Sequence, residues 1–336
     1  MKAVRLMTPG PIENQPLSLV DVPVPEPGPG QLVVEVTSCG VCRSNLHMVE
    51  GDWLPATPSF TPITPGHEVL GRVAATGEGV SGFAERDLVG VMPLWSTCGS
   101  CRFCLDGVDE LCQSKEITGE SVDGGYAELM LATAAHTYAV PDALDEVTAA
   151  PLFCPGITGY GAVQKAELSS GKSVAVFGVG GVGHVALQFA ALTGADCVAV
   201  SRGGARLDMA RDLGAHHLVD SSKGDAGAQV QRLGGVDAAL VFAPSDEVVS
   251  QALLSLKPGG TLVLGVNATI RDFPFALEQR IVGSLLGSRQ MMREVLDIAA
   301  AGKVRVEAEV RPLEEAAGAL ADLKAGKVAG RLVLVP

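Results

Sequence analysis

The stretch VAVFGVGGVGHVALQFAALTG, residues 174–194, limits most sharply what this chain can fold into. A run of β-branched and apolar residues leads into Gly178-x-Gly180-x-x-Gly183, with Gly181 in the variable position. Val182, Val185, Ala186, Phe189 and Ala190 then recur at helical spacing. Glycines in a row mark any tight turn, but strand, turn and helix start in this order are the context a dinucleotide loop requires. Without Cβ atoms the turn lets a pyrophosphate approach backbone N–H groups at the positive end of a helix. The competing reading is a tight turn with no ligand. From Ser173 onward the strand-like segments SVAVFG, CVAVS, AALVF and TLVLG alternate with helical ones. That alternation predicts a doubly wound parallel sheet covered by helices on both faces, an α/β domain of Rossmann type.

The residue ending the second strand reads the adenosine ribose in such a domain. An Asp or Glu there accepts hydrogen bonds from the 2′-hydroxyl of NAD. This chain has Ser201 and Arg202 instead, with Arg206 four residues further on. A hydroxyl donor and a guanidinium fork suit a 2′-phosphate, which a carboxylate would repel. NADP(H) is therefore expected over NAD(H); a solvated arginine at the sheet edge is the alternative.

At 336 residues the chain exceeds what one hydrophobic core usually serves, so two domains are expected. Residues before about 150 read as β-rich, with QLVVEVTSCG and VLGRVAAT as strands bounded by Gly and Pro. MMREVLDIAAAGKV and LEEAAGALADLKAGKV read as amphipathic helices, and GRLVLVP as a closing strand. A formal charge of −13 argues against nucleic acid and anionic membranes as partners. No apolar run approaches the ~18 residues of a membrane span, and no secretory signal is seen, so a cytoplasmic location is expected.

In a reducing compartment clustered thiols bind metal more often than they form disulfides. WSTCGSCRFCLDGVDELC, residues 95–112, places Cys98, Cys101, Cys104 and Cys112 in one short segment. Four local thiolates make a closed tetrahedral zinc site that stabilises a loop without a core of its own. An iron–sulfur cluster uses the same ligands and is the competing metal. A second set is dispersed: Cys39, Cys42 and His47, then His67 and Glu68, then Cys154. Two thiolates and an imidazole with one open position would make a catalytic zinc, although each residue alone is as readily a core thiol or a structural histidine.

With GVCRSNLH, GHE, the cysteine lobe, VDGGYAE, LFCPGITGY, GVGGVGH and GRLVL all in view, the chain resembles the zinc-dependent medium-chain alcohol dehydrogenases over nearly its whole length. Within them it is similar to the bacterial branch near the cinnamyl alcohol dehydrogenases, which implies NADP(H) and aldehydes. The resemblance implies a GroES-like catalytic domain formed by residues 1–153 and 289–336, carrying two zinc ions, and a Rossmann domain over 154–288. It makes Cys42, His67 and Cys154 the catalytic zinc ligands and Cys98, Cys101, Cys104 and Cys112 the structural ones. Glu68 then lies near the metal and assists ligand exchange, while Ser44 and His47 match the proton relay. Arg43 matches a pyrophosphate contact, Thr158 a nicotinamide-side contact and Arg331 a further cofactor-phosphate contact. Gly178, Gly180, Gly181, Val182 and Gly183 form the cradle. Cys39 and Cys197 are left as buried filler. Trp53 and Trp95 are candidate pocket walls. RIVGSLLGSR reads as an edge strand that pairs across subunits, implying a homodimer or homotetramer.

One departure stands out. The family usually has Asp where this chain has Asn45, beside the histidine ligand. Its amide oxygen can accept the imidazole N–H but brings no negative charge, and outer-shell changes of this kind typically cost roughly 10–100-fold in metal affinity or activity. The competing functions are an NAD-linked alcohol or polyol oxidiser, a zinc-free quinone reductase of the same fold, and a nucleotide- and zinc-binding sensor without turnover.

Overall fold

The computed structural model describes residues 1–52 and 61–336. They divide into two compact units, Met1–Cys154 with Ser288–Pro336, and Pro155–Gly287. The expected boundaries put Cys154 and Ser288 in the cofactor domain; the structure places both in the first unit. Cys154 follows the short turn Ala150–Phe153 and its sulfur lies 3.8 Å from that of Cys42. Ser288 caps the helix Arg289–Ala300 by accepting from the Met291 N–H.

The second unit holds six parallel strands in the spatial order His217–Asp220, Asp196–Ser201, Ser173–Phe177, Val236–Val241, Leu256–Leu264, Arg280–Gly283. Numbered along the unit this is 3-2-1-4-5-6, the arrangement of a dinucleotide-binding sheet. Val174, Ala175, Val176 and Phe177 are all fully buried, because helices cover both faces and alternation is unnecessary. The strand order reverses between Ser173–Phe177 and Val236–Val241, and Gly178 opens the glycine loop at that point. A side chain on Gly183 would put its Cβ 2.0 Å from the Gly178 carbonyl oxygen, so the helix Gly183–Leu192 packs there only as glycine. Cys197 is buried in this sheet, which pushes its thiol up to about 12. Of the expected edge segment, Arg280–Gly283 forms a strand, bonded among the described residues to Leu256–Leu264 alone.

The first unit is built on a sheet in the order Ala308–Pro312, Arg331–Val335, Gln31–Gly40, Val69–Thr76, Leu88–Val91, Thr137–Ala139, with Leu129–Thr133 also paired to Gln31–Gly40. The long strand Gln31–Gly40 is its spine. It pairs antiparallel with the C-terminal strand in the register Leu334↔Cys39, and with Val69–Thr76 in the register Cys39↔Val69. Val34, Val36, Cys39, Val69, Tyr126, Leu332 and Leu334 pack in one buried cluster on it. The chain termini are thereby drawn into a single core.

Candidate active site

The pairing Cys39↔Val69, extended by the Gly40 N–H donating to the Glu68 carbonyl (2.9 Å), sets the end of one strand beside the start of the next. Cys42 follows the first strand, at the start of the helix Arg43–Glu50, and His67 precedes the second. Gly40 has to be glycine, since a Cβ would fall 1.9 Å from Glu68 Oε2. Cys154 arrives from a distant segment on the turn Ala150–Phe153, which packs on both strands.

Ligand atoms of Cys42, His67, Glu68 and Cys154 all lie within 4.8 Å of one another. The sulfurs of Cys42 and Cys154 are 3.8 Å apart, far beyond a disulfide, and two thiolates on a tetrahedral zinc stand about 3.8 Å apart for Zn–S bonds of ~2.3 Å. The donor set of two sulfurs, an imidazole and a carboxylate therefore fits zinc. Ser44 Oγ lies 3.1 Å from Cys42 Sγ and 3.3 Å from His67 Nε2.

The electrostatics follow from burial. The hydrogen bond between the two thiols splits them: Cys42 is held well below the ordinary thiol range and Cys154 well above it, burial adding to the rise of Cys154. Burial works to lower His67, but the hydrogen bond and charge of Cys42 outweigh it and leave His67 above its usual value. Glu68, fully buried, is pushed up to about 7 by desolvation against the pull of Arg331. The Glu68 Oε1 atom is paired with Arg331, while Oε2 has no hydrogen-bond partner among the described residues. Arg331, expected at a cofactor phosphate, is buried with its side chain 4% exposed and pairs with Glu68. The reason is the strand pairing, which places Arg331–Val335 beside Gln31–Gly40 and so beside Glu68.

His47 and Arg43 lie on the helix after Cys42. His47 Nδ1 sits 2.8 Å from Asp52 Oδ1, and Arg43 donates to the Leu323 carbonyl at 3.2 Å. In the second unit, Thr158 is half-buried on the helix Pro155–Lys165. Gly178, Gly180, Gly181, Val182 and Gly183 form the turn after the first strand, and a Cβ on Gly180 would meet nothing within 4 Å. That open face is the space a pyrophosphate needs. Ser201 is buried at the end of Asp196–Ser201, Arg202 is exposed beyond it, and Arg206 is half-buried on the helix Gly204–Asp212.

The lobe sulfurs close a second cluster: Cys98–Cys104 at 3.9 Å, Cys101–Cys104 at 3.5 Å and Cys98–Cys112 at 3.6 Å. Backbone N–H groups, that of Ser100 foremost, pull Cys98 down to about 6. Trp53 lies outside the described residues. Trp95 donates its indole N–H to the Leu131 carbonyl (3.2 Å) and lines a cavity of 460 Å³ whose walls include neither Cys42, His67 nor Cys154.

Sequence reasoning passed over two residues. Glu120 is raised by burial and feels the charges of His67 and Cys42, and Tyr126 is fully buried with its hydroxyl on Asn45. Glu120 carries no local signal, and Tyr126 stands in the VDGGYAE motif without a role of its own; both are placed by a turn whose glycines lie against Gly66, next to His67.

Residues 28–142 match the alcohol dehydrogenase GroES-like domain, and residues 181–301 match the zinc-binding dehydrogenase domain. The chain is 39% identical to an alcohol dehydrogenase of Moraxella sp. (strain TAE123) and 38% identical to one of Geobacillus stearothermophilus, each over 96% of both chains. The crystal structure of the alcohol dehydrogenase from the hyperthermophilic archaeon Aeropyrum pernix superposes with a TM-score of 0.93 at 36% identity, covering all of both chains. The buried Cys42–His67–Cys154 cluster, the cysteine lobe, the dinucleotide-type sheet and these likenesses agree: the chain belongs to the zinc-dependent medium-chain alcohol dehydrogenases.

Proposed function

We infer that this alcohol dehydrogenase works with NADP(H) on small or medium primary alcohols and their aldehydes, chiefly as an aldehyde reductase, and holds two zinc ions per chain. The observation that carries the reading is the convergence of Cys42, His67, Glu68 and Cys154 on one buried point. Cys42, His67 and Cys154 would hold the catalytic ion and the four lobe cysteines the structural one. When bound, such a zinc lowers the pKa of a substrate hydroxyl or polarises its carbonyl, and the nicotinamide exchanges the hydride.

The chain's own groups do the rest. Two thiolates balance the charge of a divalent ion, so the site can accommodate one further negative charge during turnover. Ser44 Oγ, 3.1 Å from Cys42 Sγ and 3.3 Å from His67 Nε2, is the candidate first member of a proton relay that ends at His47. His47, its side chain 26% exposed and anchored on Asp52, exchanges that proton with solvent. Glu68, raised to about 7 and with its Oε2 unpaired among the described residues, is suited to lend a fourth donor while other ligands exchange. Arg331 serves as the counter-charge to Glu68 and stays the candidate for a further cofactor-phosphate contact. The glycine turn is the candidate cradle for the pyrophosphate, Arg43 a candidate pyrophosphate contact, Thr158 a candidate nicotinamide-side contact, and Ser201, Arg202 and Arg206 the candidates for the 2′-phosphate. The half-paired edge Arg280–Gly283 supports association of two or four copies.

A second reading, NAD(H), is favoured by one observation: Asp220 sits in register beside Ser201 on the neighbouring strand. Its carboxylate is already held by the Ser222 N–H and hydroxyl at 3.0 and 2.6 Å, which argues against a role at a ribose. The test is kcat/KM across an aldehyde and alcohol panel with both cofactors, alongside Cys42→Ala. NADPH-preferring aldehyde reduction, lost in a folded Cys42→Ala variant, is expected. A preference for NADH would refute the cofactor assignment, and activity surviving in Cys42→Ala would refute the metal site.

A further inference from the structure

Three buried groups stand in line behind the candidate metal centre. Tyr126 Oη lies 3.4 Å from Asn45 Oδ1, and Asn45 Nδ2 lies 3.4 Å from His67 Nδ1. Asn45 and Tyr126 are completely buried and His67 nearly so, which leaves no water to substitute for a missing partner. On its other side, His67 Nε2 faces Ser44 Oγ and the thiol cluster.

A histidine that binds metal through Nε2 carries its proton on Nδ1 and donates it to an outer acceptor. For His67 that acceptor has to be the Asn45 amide. An amide has two unlike ends, and a half-turn exchanges oxygen and nitrogen without moving any neighbour. With the nitrogen toward His67, Nδ1 would have to be the bare, accepting atom and Nε2 would hold the proton, which is incompatible with ligation. With the oxygen toward His67, Nδ1–H is satisfied, and the amide N–H then needs an acceptor of its own. The Tyr126 hydroxyl, which donates to Asn45 Oδ1 before that half-turn, is the group in that place, and a phenol can accept as well as donate.

We propose that Tyr126 is a positioning residue for the metal centre: its phenol oxygen receives the Asn45 amide N–H and thereby fixes the amide oxygen on His67 Nδ1–H, leaving Nε2 as the ligating nitrogen. The proposal rests on the zinc reading above and deepens it. It also explains how a neutral amide serves at a position where a carboxylate, with two equivalent oxygens, would need no orienting partner. A phenylalanine in place of Tyr126 would keep the ring that packs near Gly66 and remove only the acceptor.

The experiment measures zinc content and chelator-driven release in the full chain for the wild type, Tyr126→Phe, Asn45→Asp and the double variant, the lobe metal serving as internal reference. Two zinc ions per wild-type chain are expected. Tyr126→Phe should release one of them roughly 10–100-fold more readily and leave the other unaffected. In the Asn45→Asp background the same substitution should have little effect. Equal release from wild type and Tyr126→Phe, or equal sensitivity in both backgrounds, overturns the proposal. A wild type with a single zinc, held by the lobe, overturns the underlying reading and the proposal together. Imidazole ¹⁵N NMR of the zinc-loaded wild type gives an answer independent of how the variants fold: Nδ1 protonated with Nε2 on the metal supports the assignment, and metal on Nδ1 refutes it.

Discussion

Two glycines of one turn, three residues apart, should respond oppositely to the same methyl group. At Gly183 a Cβ would stand 2.0 Å from the Gly178 oxygen and 2.9 Å from its carbon. Both are backbone atoms of the same turn and cannot rotate aside, so Gly183→Ala forces the helix off the strand. Overpacking of this kind costs about 1–3 kcal/mol. At about 4 °C per kcal/mol for a unit of this size, its melting point should fall by roughly 4–12 °C. At Gly180 the same Cβ meets no atom within 4 Å, so Gly180→Ala should shift the melting point by no more than about 2 °C. Its methyl instead occupies the face through which a pyrophosphate reaches the backbone N–H groups. Losing one hydrogen bond to a charged group, about 1.5–3 kcal/mol, corresponds to roughly 10–150-fold in Kd. Scanning calorimetry of the cofactor-free protein and fluorescence titration with NADPH read the two effects separately. If Gly180→Ala melts as low as Gly183→Ala, or binds NADPH as the wild type does, the turn is not the cradle argued for here.

Arg202→Ala should lower kcat/KM with NADPH by roughly 10–150-fold and leave NADH nearly unchanged, as expected for loss of a charge-assisted contact; equal losses with both cofactors would show that Arg202 does not read the 2′-phosphate. Cys112→Ser removes a buried sulfur 3.6 Å from Cys98 and should reduce zinc from two per chain to one while lowering thermal stability; unchanged metal content would rule out the four-cysteine site. His136, buried between Thr97 and Thr133, is lowered to about 4 by desolvation and then by Arg289. Its folded pKa lies below the unfolded value of about 6.5, so its contribution is complete above pH 6.5 and is lost as pH falls through 4, a change of order 3 kcal/mol. His136→Gln should therefore flatten the decline of thermal stability between pH 6.5 and 4, and an unaltered slope would contradict the assignment.

What the sequence determined on its own is what neighbouring residues settle between themselves. SVAVF reads as a strand buried on both faces because its apolar run is unbroken, and the glycine turn follows within the same window. The cysteine lobe is legible because its four ligands span few enough residues that spacing nearly dictates geometry. The family resemblance extended this reach to Cys42, His67 and Cys154, whose meeting no local rule contains. Tertiary structure decided the rest. Cys154 joins Cys42 across 112 residues, and Arg331 meets Glu68 across 263 in a buried ion pair. The second depends on antiparallel register, in which one residue of slip would reverse every side chain, and the first on the packing of the Ala150–Phe153 turn against the sheet. The Tyr126–Asn45–His67 line is of the same kind, formed by three segments that approach only once the sheet has closed and water has been excluded.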